Sequence, residues 1–459
     1  SGQRRWPLWP RGRGAVRALV QLAALTAAWG AAAADYRVDP AAPSGGDGRP
    51  EAPFPSLQAA RDSGALTGGD RLILAPGDYG DLQLRGWAFD RPLEIVAAPG
   101  GSVHLERLTI AKGRNLRLSG LSVWPEAGRR FPDGGSGDRR RGGPLVRVSG
   151  QGIELSGFDI RARADAPDYM QWPLQAWRDA WFSGVHMEGD RHILRDTTIR
   201  GVAFGISARA SNSLIENNRI LGFSQDAMRG FGAGTVFRGN HVQDCIEIDD
   251  NHDDGFQSWS TGPDGRVGGG VVHDLTLDGN VIIEWTGDMK DPRRCALQGI
   301  GLFDGAYRRI TITNNIIAVG AYHGIALYGG AESVIANNTL INVAGASRKA
   351  PWITLSDDRW KHVSQGNLVA NNLAPLFKID EAQAARNRVE ENAVMIYPAR
   401  ELVAPYAGDF RPRADGGLIG RGDRARAPGT DALRAARPQQ AGGAAALTYL
   451  GAIAAGVAP

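Results

Sequence analysis

GISARASNSLIENNRI (205–220), GIGLFDGAYRRITITNNII (299–317) and GIALYGGAESVIANNTL (324–340) repeat one phrase: a glycine and a hydrophobic strand, a short gap, then a hydrophobic strand ending in asparagine. The pairs Asn314/Asn315 and Asn337/Asn338 lie about 23 residues apart, and Asn217 stands at the same distance from Asn240. Short strands recurring every 20–30 residues mark a solenoid, because one rung cannot bury its apolar face until others stack on it. Asparagines at one corner then form a ladder, each amide bonding the one above and below. The expected fold is all-β: a right-handed parallel β-helix with an N-terminal capping helix and an irregular C-terminal tail.

Working outward, FPSLQAARDSGAL from Phe54 offers Ser56 as the N-cap of a short amphipathic helix that covers the open first rung. Strand phrases continue through RPLEIVAAPG, LRLSGLSV, IELSGFDI and HILRDTTI and fade near Val394. The expected organisation is a leader at 1–34, a cap and first rungs at 35–100, the helix with projecting loops at 101–397, and a closing segment and tail at 398–459. The Ala/Gly/Pro-rich stretch from Arg424 is expected to be partly disordered. Rung lengths are uneven: 40 residues separate Asn240 from Asn280, 35 separate Asn280 from Asn315, and 34 separate Asn338 from Asn372. The excess must project as loops, at 124–144, 163–182, 261–270 and 285–295, where function usually sits.

Arg4, Arg5, Arg11, Arg13 and Arg17 precede a short apolar stretch and an Ala-rich segment ending at Asp35. That order predicts a cleaved export signal, too short for a lasting membrane span, and a periplasmic or secreted product. In that setting Cys245 and Cys295 either pair or remain two buried thiols. A net charge of +3 and a charged fraction of 22% carry no basic run with interleaved aromatics, so no nucleic-acid partner is expected. The 12 tryptophans suit either sugar stacking or plain packing. A monomer is expected.

Strand side chains alternate, so the residue after each buried hydrophobe faces outward. That column reads His186, Ser207, Arg229, Gln257, Gly301, Ala326; the corner before each strand reads Phe204, Asp226, Asp254, Gln298, His323. Polar residues converge around Asp226 and Asp254. The densest segment is EIDDNHDDGFQSW (247–259). Its crowded carboxylates suit a cation, a shared proton or a solvated turn. Asp249, Asp250, Asp253 and Asp254 are the candidate ligands for Ca²⁺. His252, oriented by Asp250 or Asp254, is the candidate base, with Lys290 as a second. Arg229 is placed with them in the catalytic set, and with Gln257, Arg293 or Arg294 it suits a substrate carboxylate. Asp226, Gln298, His323 and Trp259 complete the expected substrate contacts, and Trp285 is a further stacking candidate.

From Phe54 to Val394 the repeat resembles the pectate-lyase-like parallel β-helix superfamily. Asp250-Asn251-His252-Asp253 is similar to the Asp-Pro-His-Asp motif of β-helix alginate C5-epimerases, with Asn251 in place of proline and no Tyr-Gly just upstream. The resemblance implies a catalytic role for His252. Asp253-Asp254-Gly255 is similar to the Ca²⁺-binding aspartates of some β-helix pectate lyases. The expected partner is an acidic polysaccharide. The expected activity is β-elimination at a uronate; the alternatives are C5-epimerisation, glycoside hydrolysis by Asp226 and Asp254, and non-catalytic sugar binding.

Overall fold

A computed structural model describes residues 33–131, 142–344, 350–418, 421–437 and 450–453. All but residues 33 and 34 of the predicted leader lie outside them. Among the described residues no helix is long and apolar enough to cross a membrane. The strands form a right-handed parallel β-helix, and the one antiparallel strand pair joins Leu402–Ala404 to Asp409–Pro412 in the tail.

Each rung contributes three short strands. The first face stacks Phe204–Ala208, Met228–Gly230, Asp254–Ser258, Gln298–Leu302, His323–Tyr328 and Trp352–Ser356. The second stacks Leu214–Glu216, Val236–Arg238, Thr276–Asp278, Thr311–Thr313 and Val334–Ala336. The third stacks Arg219–Phe223, His241–Cys245, Val281–Ile283, Ile316–Val319 and Thr339–Asn342. Alternation sends one residue of each strand inward, where it meets its counterpart above and below. The first face thus builds the buried stack Ile206, Met228, Phe256, Ile300, Ile325, Ile353. The third builds Ile220, Val242, Ile282, Ile317, Leu340. A fully buried side chain of this kind contributes about 1.5–3 kcal/mol.

The corner between the second and third faces is polar and buried up to its last member, the half-buried Asn392. Asn218, Asn240, Asn280, Asn315, Asn338, Asn372 and Asn392 each donate an amide N–H at 2.9–3.0 Å to the next asparagine's Oδ1, up to Asn392 where the ladder ends. Each also donates to a main-chain carbonyl of the rung before, such as Leu194, Ile215 or Phe237. The expected ladder is present with one correction: Asn218, not Asn217, partners Asn240. Asn217 holds the preceding corner position at φ 55°, where Gly239, Gly279, Asn314 and Asn337 also turn left-handed. Asparagine and glycine adopt that conformation at least cost, which explains the doubled asparagines.

Ser56 caps helix Leu57–Asp62 as expected, accepting from the Ala59 amide at 3.0 Å. The described parts of the tail are packed. Leu402, Phe410, Leu418, Leu450, Ala452 and Ile453 pack with Ile316, Ala318, Ile341 and Leu373 on the outer side of the third face. Cys245 and Cys295 form a disulfide.

Replacing Asn280 by alanine orphans one N–H of the Asn240 side-chain amide and the Asn240 main-chain N–H, both buried. We expect a loss of about 3 kcal/mol in urea unfolding, against about 1 kcal/mol for Asn392→Ala at the ladder's end.

Candidate functional site

Main-chain pairing aligns His186 with Ser207, Arg229, Gln257, Gly301, Ala326 and then Thr354, so the outward column is real. Asp254 pairs with Gln298 at the corner, and the Asp254 amide donates to Asp226 Oδ1 at 3.1 Å. Neighbouring rungs lie about 4.8 Å apart, so these groups share one surface.

Two carboxylates lie beneath that surface. Asp226 Oδ2 accepts from Arg229 Nε at 2.6 Å and Nη2 at 2.5 Å. The guanidinium sits 3.9 Å over the Phe204 ring, and its Nη1 makes no hydrogen bond among the described residues. Asp254, fully buried, accepts from Gln257 Nε2 at 3.1 Å and faces His252 Nδ1 at 3.0 Å. Burial raises both acids above the usual carboxylate range, against the pull of Arg229 and His252. The hydrogen bond to Asp254 holds the His252 pKa above 6.5, although burial works the other way.

With Nδ1–H donated to Asp254, His252 keeps a lone pair on Nε2, which has no partner among the described residues. The ring is 57% exposed. It borders a cavity of about 330 Å³ with Gln257, Trp259, Gln298, His323 and Tyr328, and one of about 480 Å³ with Glu247, Asn251 and Tyr322. A larger cavity of about 610 Å³ lies between the 124–131 and 162–182 segments. There Arg129 is paired with Glu106, Arg163 with Asp165, and His104 with Asp78, its Nε2 on the Trp124 carbonyl.

Several expectations need correction. Lys290 is exposed beyond Asp288 and borders neither cavity at His252. Arg293 is bound to Asp291 and, through Nη1 at 2.8 Å, to the carbonyls of Met170 and Trp172. It ties two loops together and is not available to substrate. Arg294 is consumed by buried Glu284 at 2.7 Å. Trp285 is buried with its indole N–H on the Asp288 carbonyl, so it offers no stacking face. Trp259 does border the cavity, edge-on to Phe231.

The four candidate calcium ligands point in different directions. Asp249 accepts from Gln225, Asp250 is exposed, Asp253 turns inward to the disulfide, and Asp254 is held on His252. Among the described residues the only compact group of three potential ligands is Cys245, Asp253 and Cys295, whose sulfurs are bonded to each other. Burial, with Glu247 and Asp226 nearby, pushes Asp253 up to about 9.

His323 sits in an aromatic nest of Tyr322, Phe303, Tyr328 and Trp352, and burial pushes it down to about 4. Its Nδ1 meets Gln298 Oε1 at 2.8 Å and its Nε2 the Tyr328 hydroxyl at 3.2 Å. Tyr328 and Phe303 escaped the sequence reading. Outward parity carried two residues past Ala326 and Gly301 reaches both, as from Gln257 it reaches Trp259.

A family model described as a right-handed β-helix region matches residues 183–372. No curated protein matches the chain in sequence. Among solved structures, pectate lyase Pel9A is 16% identical with a TM-score of 0.50, over 85% of this chain and 92% of that one. A mannuronic acid specific polysaccharide family 6 lyase from human gut microbiota is 14% identical, TM-score 0.41, over 79% and 88%. The Azotobacter vinelandii mannuronan C-5 epimerase AlgE6 A-module is 13% identical, TM-score 0.40, over 74% and 90%. At these identities the likeness is one of fold.

Two titrations test the electrostatics. The His252 pKa, followed by NMR, is expected above 6.5 and lower in Asp254→Asn, which removes the interaction that raises it. Folded Asp253 keeps a proton up to about 9, whereas the unfolded side chain loses it near 3.8. Stability from this group therefore falls as pH rises between those values. The melting temperature of Asp253→Asn should gain on the parent between pH 5 and pH 8.

Proposed function

We propose that the chain is an exported polysaccharide lyase that cleaves a uronate polymer by β-elimination. The observation that carries this reading is the His252–Asp254 pair: a histidine aimed by a buried carboxylate, its Nε2 open to a cavity on the helix surface. The C5–H of a uronate is acidified by the adjacent carboxylate. Its removal needs a positioned base and a cation or donor at that carboxylate. His252 Nε2 supplies the base; for the carboxylate, the Gln257 amide lies on the same rung and Arg229 Nη1 one rung away. The disulfide supports the exported setting, since such bonds persist in oxidising compartments.

Epimerisation differs only in whether O4 leaves before a proton returns to C5, so it stays as the second reading. Hydrolysis by Asp226 and Asp254 is disfavoured. Their side chains are 2% and 0% exposed, and both are engaged within the protein. A Ca²⁺ requirement is decided by the chelator arm of the test below, and no step is routed through the ion.

The test is ultraviolet absorbance of unsaturated ends on alginate, polygalacturonate, glucuronan and glycosaminoglycans, each with Ca²⁺ and with chelator. We expect turnover on one class, unaffected by chelator. The kcat/KM should climb with pH through the raised His252 pKa, because only the neutral ring accepts a proton. His252→Ala should lose about 10²–10⁴-fold while melting like the parent. A flat trace on every polymer removes the lyase assignment, and proton exchange at C5 then decides for or against an epimerase.

A further inference from the structure

The cavity beside His252 has a second wall that elimination at a uronate does not yet use. Strand His323–Tyr328 lies two rungs from strand Asp254–Ser258, with Gln298–Leu302 between them. Two rungs part the backbones by about 10 Å, a gap that two side chains and one pyranose ring fill. His252 and Tyr328 both line the 330 Å³ cavity in that gap.

The Tyr328 hydroxyl is held in place. Gln298 Oε1 only accepts, so the proton between it and His323 belongs to His323 Nδ1. Nε2 of His323 then carries a lone pair, and the Tyr328 O–H donates to it at 3.2 Å. Phe303 packs edge-on against the tyrosine ring at 5.4 Å and, tilted, against the histidine at 5.1 Å, which fixes both. His323 stays neutral because burial disfavours its cation, so it never competes as a proton source at this position. A hydrogen bond of 3.2 Å is long, and rotation about the phenol C–O bond releases the proton toward the cavity at little cost.

We infer that Tyr328 is the general acid of the site, giving its phenolic proton to the glycosidic O4 as the polymer is cut, an assignment that rests on the elimination reading. In the step, His252 Nε2 takes the C5 proton and the C5–H electron pair becomes the C4=C5 double bond. The C4–O4 bond breaks, and its electron pair accepts the Tyr328 proton to leave a hydroxyl. Imidazolium and phenolate remain, and one water molecule entering the cavity restores both. His323 and Gln298 are positioning residues, acting through the hydroxyl that they hold.

The experiment compares the parent, Tyr328→Phe and His252→Ala on two substrates. One is the polymer that the absorbance panel selects. The other is a synthetic uronide with 2,4-dinitrophenolate at C4, a leaving group that departs without a proton. Tyr328→Phe should melt like the parent and keep KM within about threefold. It should lose roughly 100-fold in kcat on the polymer yet less than about fivefold on the aryl uronide. His252→Ala should fail on both. Equal losses of Tyr328→Phe on the two substrates would show that the ring merely shapes the cavity, and parent-like turnover on the polymer would show no role; either overturns the inference alone. A parent protein that eliminates neither substrate overturns the elimination reading, and the acid assignment with it.

Discussion

Strict vertical register between successive rungs is the constraint on which everything else here depends. Val242 pairs with Ile282 across a 40-residue rung as faithfully as Ile317 pairs with Leu340 across a 23-residue one. The core columns and the asparagine ladder fix where each strand begins, so extra length is expelled as loop. A solenoid therefore tolerates large insertions without moving a single outward-facing side chain. The site inherits that precision from the stack.

The same rigidity explains how two buried carboxylates persist one rung apart. Asp226 and Asp254 would relax toward solvent on a mobile loop. Here the Asp254 main chain is bonded to the Asp226 carboxylate and to the Ala227 amide, so neither can swing out. Their charge is turned outward through longer side chains. Arg229 covers one acid and His252 covers the other, and it is those two heads that meet the groove. A buried acid wearing an exposed basic group is an economical way to orient an imidazole, because the acid fixes the tautomer and the core fixes the acid.

Legibility in the sequence followed the same division. Periodicity exposed the strands, the outward column and the corner of asparagines, since each is a local pattern repeated many times. The one-residue slip at Asn217 came from its doubling: both members of an Asn-Asn pair are needed, one for left-handed backbone and one for the amide ladder. Adjacent aspartates looked like a ligand set because sequence proximity does not reveal that the corner sends Asp253 toward the disulfide and Asp254 toward His252. Arg293 illustrates the larger limit. Its carbonyl partners at Met170 and Trp172 lie more than a hundred residues away in a different loop, and no periodicity links them. Tyr328 was within reach of strand parity and went unnoticed because the column was followed for only one position per strand.

The tail bears on how the stack behaves as a whole. Asp423 meets Asn371, Thr430 meets Asn314, and Arg434 meets Asp278 beside the turn at Gly279; Arg437 lies on Asn314, and Gly451 on Asn337 and Asn371. Its described residues thus bond to left-handed corner residues of three rungs, at Asn314, Asn337 and Asn371, and to Asp278 in the rung before them. Linear arrays unravel from their ends, one unit at a time. A strap fastened to four units at once makes them open together or not at all. The last rungs thereby share one fate, and the wall that carries His323 and Tyr328 gains the endurance of a structure much longer than the few turns that remain beyond it.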